Sequence, residues 1–250
     1  MNKKELIKEY VKKNRYFSLN GVVELTGLGR QTAIKYLQQL KSEKVIFSAG
    51  RGLYTSVSKK FVYQKRSRVV KIYQLIKKEF PNLDFVIWNT LYFQPYYHHQ
   101  QTHNITFLEV EYDGVHPVAD KISQFYRYVF VETKSKDCPP SFDITKDPVI
   151  VRRLIRRSPR NGNEPSLEKM LVDLYVIKDK YATMPDADYW ELWRTVYSLY
   201  RINFSELVDY ALRRRNMKAM ITQLIDNTEL SKVINGSKSD LLPKMTKRKR

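Results

Sequence analysis

A single cysteine, Cys138, occurs in 250 residues, so no disulfide can close within the chain and a cysteine-rich zinc module is excluded. No apolar run approaches the ~20 residues that a membrane helix needs. The opening MNKKELIKEY lacks the apolar stretch of a signal peptide, so a cytoplasmic protein with no membrane partner is expected. Neither kind of Gly-rich nucleotide-binding loop occurs, nor does a GxSxG elbow. Core material is not lacking: 42% of residues are hydrophobic and 13% aromatic, which argues against a disordered chain.

Acidic residues are scarce at one end. Residues 1–78 hold 19 Lys/Arg against 4 Asp/Glu, a net +15, whereas residues 79–240 hold 21 against 22. The last ten residues, LLPKMTKRKR, add five cations and no acid, which completes the formal +19. So lopsided a distribution points to a polyanion met by the N-terminal segment rather than to a uniform solubilising charge.

The pattern of that segment supplies a geometry. KKELIKEYVKK places Leu6, Ile7, Tyr10 and Val11 at helical spacing. FSLNGVVELTGLGRQTAIKYLQQLKSEK reads as two helices, the first capped by Ser18 or Asn20, with Gly27 and Gly29 at the chain reversal. VIFSAGRGLYTSV reads as a hairpin. Helix, short helix, tight turn, longer helix and hairpin is the order of a winged helix-turn-helix. In duplex DNA, Arg30, Gln31, Thr32, Lys35 and Tyr36 would lie at the major groove, where Arg and Gln reach base edges. Arg51 at the hairpin tip and Lys59 and Lys60 beyond it would meet backbone. Packing or docking by the three helices, with a solvated basic face, is the alternative. Residues 1–68 are expected to bind operator DNA on their own.

The expected fold is α+β: a winged helix-turn-helix over 1–57, a basic linker over 58–68, a mixed α/β domain with a helical C-terminal part over 69–228, and a flexible basic tail over 229–250. Strands are predicted at LDFVIWN, ITFLEVEY, YVFVE and VIVRRLI, and helices at RVVKIYQLIKKEF, at VHPVADKISQFY and throughout from Leu167 onward.

Three groups within the body carry chemistry on paper. His99 and His103, four apart, would share a helix face as metal ligands do, with Glu109 and Glu111 following; His98 and His116 complete the histidines. The flanking Tyr96-Tyr97 and Gln100-Gln101 suit a polar aromatic surface or satisfied core imidazoles instead, and no metal or cofactor is assigned. FLEVEY puts Glu109 and Glu111 on one strand face, and with Asp84 they could hold Mg²⁺ as nucleases do, although the lysine usual two residues after the second acid is absent. Half-exposed strands carry such acids for solubility as well. Arg152, Arg153, Arg156 and Arg157 form a basic cluster that, were the strand to persist, would offer Arg153 and Arg157 to an acidic partner. Arg213-Arg214-Arg215 closes a predicted helix, where cations are favourable.

RSPRNGNEPSLEKMLVDLYV and YRINFSELVDYALRRRNMK resemble the signature of the AbiEi-like antitoxins of type IV abortive-infection toxin–antitoxin systems. VIWNTLYFQPYYHHQQTHNITFLEVE is similar to the central part of that family, and the N-terminal helices with GRGLY to its winged-helix domain, so the resemblance spans residues 1 to about 225. The tail KMTKRKR lies outside it. The resemblance implies a repressor of its own operon and of phage-defence character, which counters a nucleotidyltransferase-type toxin without a stable complex. It singles out Glu168, Lys169, Asp173, Asn203, Tyr210 and Arg214. It implies no catalytic residue and no cofactor. A stand-alone winged-helix regulator and a Mg-dependent nuclease are the alternatives.

Overall fold

Ile7 and Val11 are the buried residues of α1 (Lys3–Lys13) in the computed structural model, which describes residues 3–96, 103–132, 138–214 and 218–227. A short strand, β1 (Tyr16–Ser18), separates α1 from α2 (Leu19–Thr26). Ser18 caps α2 by accepting a hydrogen bond from the Gly21 amide at 3.0 Å. Gly27 closes α2 at φ 61°, a left-handed backbone that glycine adopts without a Cβ clash. α3 (Arg30–Ser42) and the hairpin of β2 (Phe47–Gly50) and β3 (Leu53–Thr55) follow. Ile7, Phe17, Leu19, Val22, Ala33, Leu37 and Ile46 share one apolar core. The sheet is antiparallel in the order β1-β3-β2. β1 falls between the two expected helices, where the sequence pattern gave no strand. Three residues carry no period of their own, and the strand exists because Phe17 pairs with Tyr54, far along the chain.

The next elements lay helices on a mixed sheet. α4 (Ser67–Glu79) buries Val69, Ile72 and Ile76. β4 (Phe85–Asn89) pairs antiparallel with β5 (Thr106–Val110), and the chain then passes through α5 (Val115–Ser123) to β6 (Val129–Val131) and β7 (Val149–Arg153). The sheet order is β4-β5-β7-β6, with β7 parallel to both of its neighbours. A small hairpin, β8 (Arg160–Asn161) with β9 (Glu164–Pro165), leads into α6 (Leu167–Lys180) and α7 (Asp186–Leu199). Every residue of β4 and β5 is buried, so both faces of this part of the sheet are covered. The alternation of ITFLEVEY is therefore not that of a half-exposed strand: Glu109 is inside the molecule and Glu111, past the strand end, is outside.

α8 (Phe204–Ala211) and α9 (Lys218–Asn227) complete the described chain. Two compact units result, one of residues 1–61 with 196–250, the other of residues 62–195. The expected body of 69–228 thus differs from the observed division, because the C-terminal helices return to the N-terminal elements. Tyr16 shows the cause: its hydroxyl donates to the Tyr200 carbonyl at 2.8 Å and accepts from the Ile202 amide at 3.1 Å. Its ring stacks on Tyr197 and meets Phe204 edge-on. The expected 58–68 linker is also anchored. In the first unit Phe61 packs edge-on with Tyr200, and in the second Tyr63 stacks on Tyr92. Among the described residues no helix is long and apolar enough to cross a membrane.

Candidate functional site

Two places in the structure gather the residues that the sequence singled out, one in each unit. In the first, α3 buries Ala33, Leu37 and Leu40, which turns Arg30, Gln31, Thr32 and Lys35 to solvent. No side chain caps α3, and its first turn offers backbone N–H groups beside these cations. The Arg30 guanidinium donates to the side-chain Oδ1 of Asn20 at 2.7 Å, which orients it. Tyr36 is half-buried against the apolar core, so it belongs more to the packing of α3 than to its outer face. Arg51 is exposed at the hairpin tip, and its amide donates to Ser205 Oγ at 2.7 Å, so α8 supports the hairpin from behind. Gly50 has φ +133°, and an added Cβ there would stand 2.5 Å from Ser205 Oγ. Lys59 and Lys60 are exposed; Lys59 lies over the Tyr200 ring at 4.9 Å.

The second place is a buried quartet of ions. Glu109 on β5 faces Arg152 on β7 in the parallel register, and Lys169 and Asp173 sit one turn apart on α6. Arg152 Nη2 reaches Glu109 Oε1 at 2.8 Å and Asp173 Oδ2 at 3.0 Å. Lys169 Nζ reaches Glu109 Oε1 at 2.6 Å and also pairs with Asp173. Trp88 Nε1 donates to Glu109 at 3.1 Å, and the Arg152 guanidinium lies over the Phe107 ring at 4.6 Å. All four ions are at most 1% exposed. Burial pushes the Glu109 carboxyl up, but Arg152 and Lys169 more than offset this and hold it below the usual carboxylate range. Two cations and two anions balance, which is the condition for keeping ions in an apolar interior.

This arrangement corrects the nuclease reading of Glu109, Glu111 and Asp84. Glu109 is sealed from solvent with its charge compensated, Glu111 is exposed past the strand end, and Asp84 is bound bidentate by Arg160 at 2.5 and 2.6 Å. The three carboxylates do not share an open site. Among the described residues, no group of three or more His, Cys, Asp or Glu could hold a metal ion. His98 and His99 lie outside the described residues. The arginine cluster divides likewise. Arg152 is inside, Arg153 is exposed at the strand end, and Arg156 and Arg157 follow in a turn, so the strand does not persist to align Arg153 with Arg157.

The residues singled out by resemblance fall into both units. Glu168, Lys169 and Asp173 stand together on α6, behind the Ser166 cap, with Glu168 in the first turn where an acid is favoured. Asn203 caps α8: its carbonyl oxygen accepts from the Glu206 amide and its amide donates to the Glu206 carboxylate at 2.8 Å. Tyr210 is wholly buried, and Arg214 is half-buried beyond the end of α8; Arg215 lies outside the described residues. Trp88 and the role of Arg152 were not foreseen. The available signal was charge at positions 169 and 173 of a helix that is otherwise apolar or aromatic from Met170 to Ile177.

A protein-family model matches residues 32–231. The chain belongs to DUF6577, a family of unknown function. The match begins inside α3 and runs past α9, so the DUF6577 region takes in the hairpin, the whole ion quartet and the C-terminal helices that return to the N-terminal unit. No curated protein matches the sequence.

Proposed function

We propose that this DUF6577 protein is a DNA-binding regulator that reads duplex DNA with α3 and the β2–β3 hairpin, and that it serves as the antitoxin and autorepressor of a toxin–antitoxin operon. The observation that carries the DNA reading is the solvent-facing, uncapped first turn of α3, bearing Arg30, Gln31, Thr32 and Lys35, on a segment of net charge +15. The order of α1, β1, α2, α3, β2 and β3, with its three-stranded antiparallel sheet, agrees with a winged helix-turn-helix. In that arrangement Arg30 and Gln31 meet base edges, helix N–H groups meet phosphate, and Arg51, Lys59 and Lys60 meet backbone. The antitoxin part, opposing a nucleotidyltransferase-type toxin, rests on the likeness of the LEK-LVDL and IN-LVDYALRR blocks to the AbiEi-like antitoxins. The stability role of Lys169, Asp173 and Asn203 is sufficient to explain those three residues structurally, so no catalytic function is proposed for them.

The test is fluorescence anisotropy of the full chain on the duplex upstream of its own gene and on a scrambled duplex. Affinity is expected to fall steeply between low and moderate salt, in proportion to the phosphates contacted. Arg30→Ala should narrow the difference between the two duplexes by about 1–3 kcal/mol, whereas Arg51→Ala or Lys60→Ala should weaken both alike. Salt-independent affinity would overturn the reading. Growth rescue on co-expression with the neighbouring gene product separates antitoxin from stand-alone regulator.

A further inference from the structure

Within the second unit, α4 and the β8–β9 hairpin both pack on β4 and leave a cavity of about 420 Å³ between them. Its volume lies in the range of small-molecule sites. Val69, Val70 and Ile87 give it an apolar floor. Three tyrosines line it: Tyr63 and Tyr92, stacked on each other at 4.1 Å, and Tyr73 from α4. The polar groups are few and of mixed kind, namely the Glu164 carboxylate, the Gln74 and Asn161 amides and the Lys65 ammonium. Asn163 is committed to holding the hairpin on β4, since its side chain donates to the Phe85 carbonyl at 2.7 Å and its carbonyl accepts from the Ile87 amide. The hairpin turn therefore forms a fixed wall.

We propose that this cavity binds a nucleotide, its planar nitrogen heterocycle against the tyrosines and its phosphate at Lys65. Aromatic side chains stack on any base, and a carboxylate with neighbouring amides suits the N–H donors and carbonyl acceptors of a base edge. Burial and the Glu164 charge push the Tyr63 and Tyr92 hydroxyls above their ordinary range, and both are O–H donors at neutral pH, as tyrosines are. Lys65 and Glu164 pair with each other across the mouth, both about half exposed. Such a surface pair is weak, and a nucleotide replaces it with a better partner for each ion: phosphate for Lys65, a ring N–H for Glu164. A second cleft of about 440 Å³ shares Gly162 and Asn163 with the first, but the Arg160 that lines it is already paired bidentate with Asp84, so the phosphate falls to Lys65. The chain has no Gly-rich phosphate loop, so side chains rather than a backbone cradle would hold the phosphate. A cation-binding aromatic cage fits less well, because Lys65 stands at the entrance.

Isothermal titration of the full chain with ATP, GTP, CTP, UTP, their nucleosides and tripolyphosphate, without DNA, tests this independently of the DNA reading. At least one nucleotide should bind with one site per chain and more tightly than both its nucleoside and tripolyphosphate. Tyr73→Ala, at a partly exposed position, should weaken it roughly tenfold or more. Lys65→Ala should lower the nucleotide to the affinity of its nucleoside, and Glu164→Gln should change which base is preferred. Circular dichroism confirms that these variants fold. The proposal is overturned if no nucleotide binds at millimolar concentration, if tripolyphosphate binds as well as the nucleotides, or if Tyr73→Ala and Glu164→Gln bind as the parent does.

Discussion

Lys169→Met removes one cation from the buried quartet with little change of volume. Glu109 and Asp173 are then left to share Arg152, a net negative charge at positions no more than 1% exposed. Removing one partner of a buried ion pair costs about 3–5 kcal/mol, a large share of the ~5–15 kcal/mol that holds a domain folded. The loss should also depend on pH in a particular sense. In the parent, Glu109 lies below its ordinary value, so it contributes stability above the unfolded carboxylate value of about 4.3, and this contribution is lost as pH falls through the lower folded value. Without Lys169, burial dominates and the folded carboxyl rises above the unfolded one. The variant then binds a proton more readily when folded, and its deficit shrinks as pH falls from 7 towards 5, by up to ~1.4 kcal/mol per unit for one proton. Pairing it with Asp173→Leu removes one ion of each sign, and this double variant should recover about 2–3 kcal/mol relative to the sum of the singles. Urea denaturation followed by tryptophan emission is a local assay. Trp88, Trp190 and Trp193 all belong to residues 62–195, and Trp88 donates to Glu109 itself. A Lys169→Met cost below about 1 kcal/mol at pH 7, or a deficit that does not shrink towards acid, would refute the argument.

Gly50→Ala should destabilise the first unit by on the order of 1–3 kcal/mol and weaken DNA binding, since the residue holds φ +133° and its Cβ would meet Ser205; thermal unfolding and anisotropy check both. Asn203→Ala removes the α8 cap and should cost about 1 kcal/mol, while Asn203→Ser or Asn203→Asp should retain most of it; an unchanged melting temperature for Asn203→Ala would deny the cap its role.

Much of the element order was readable because these segments state their own period: the 3.6-residue spacing of RVVKIYQLIKKEF, the apolar run FVIWN, and the cap at Ser18, one of two candidates, are all local. The ion quartet was not, because its four members come from three elements. Phe107 and Glu109 share one side of a strand, and nothing local says whether that side meets water or α6. The answer depends on β5 lying between β4 and β7, and on Arg152 standing opposite Glu109. The exposed part of the candidate DNA face was readable from the apolar stripe Ala33, Ile34, Leu37 and Leu40, of which Ile34 is only partly buried, since fixing the inner stripe of a helix fixes its outer face. Tyr36, on the border of that stripe, was the residue this reasoning resolved least well.

The same contrast sets the fate of a truncated reading head. A chain cut at residue 68 keeps α1 to β3, which sequence order alone would treat as sufficient. Yet Tyr16 is buried by Tyr197 and Phe204, and its hydroxyl is satisfied by Tyr200 and Ile202, all beyond the cut. The Arg51 amide loses Ser205 as well. Burial of one large aromatic side chain contributes about 1.5–3 kcal/mol and each net hydrogen bond about 1 kcal/mol, so the fragment forfeits roughly 4–6 kcal/mol, much of what a small domain has. Residues 1–68 should therefore melt far below the first unit of the full chain and bind operator weakly, and full-length Phe204→Ala should show part of both losses. Equal melting and equal operator affinity for the fragment and the full chain would mean that α8 merely rests against the hairpin. If the losses appear, the hairpin geometry depends on the C-terminal segment, and any event that displaces α8 would also release the operator.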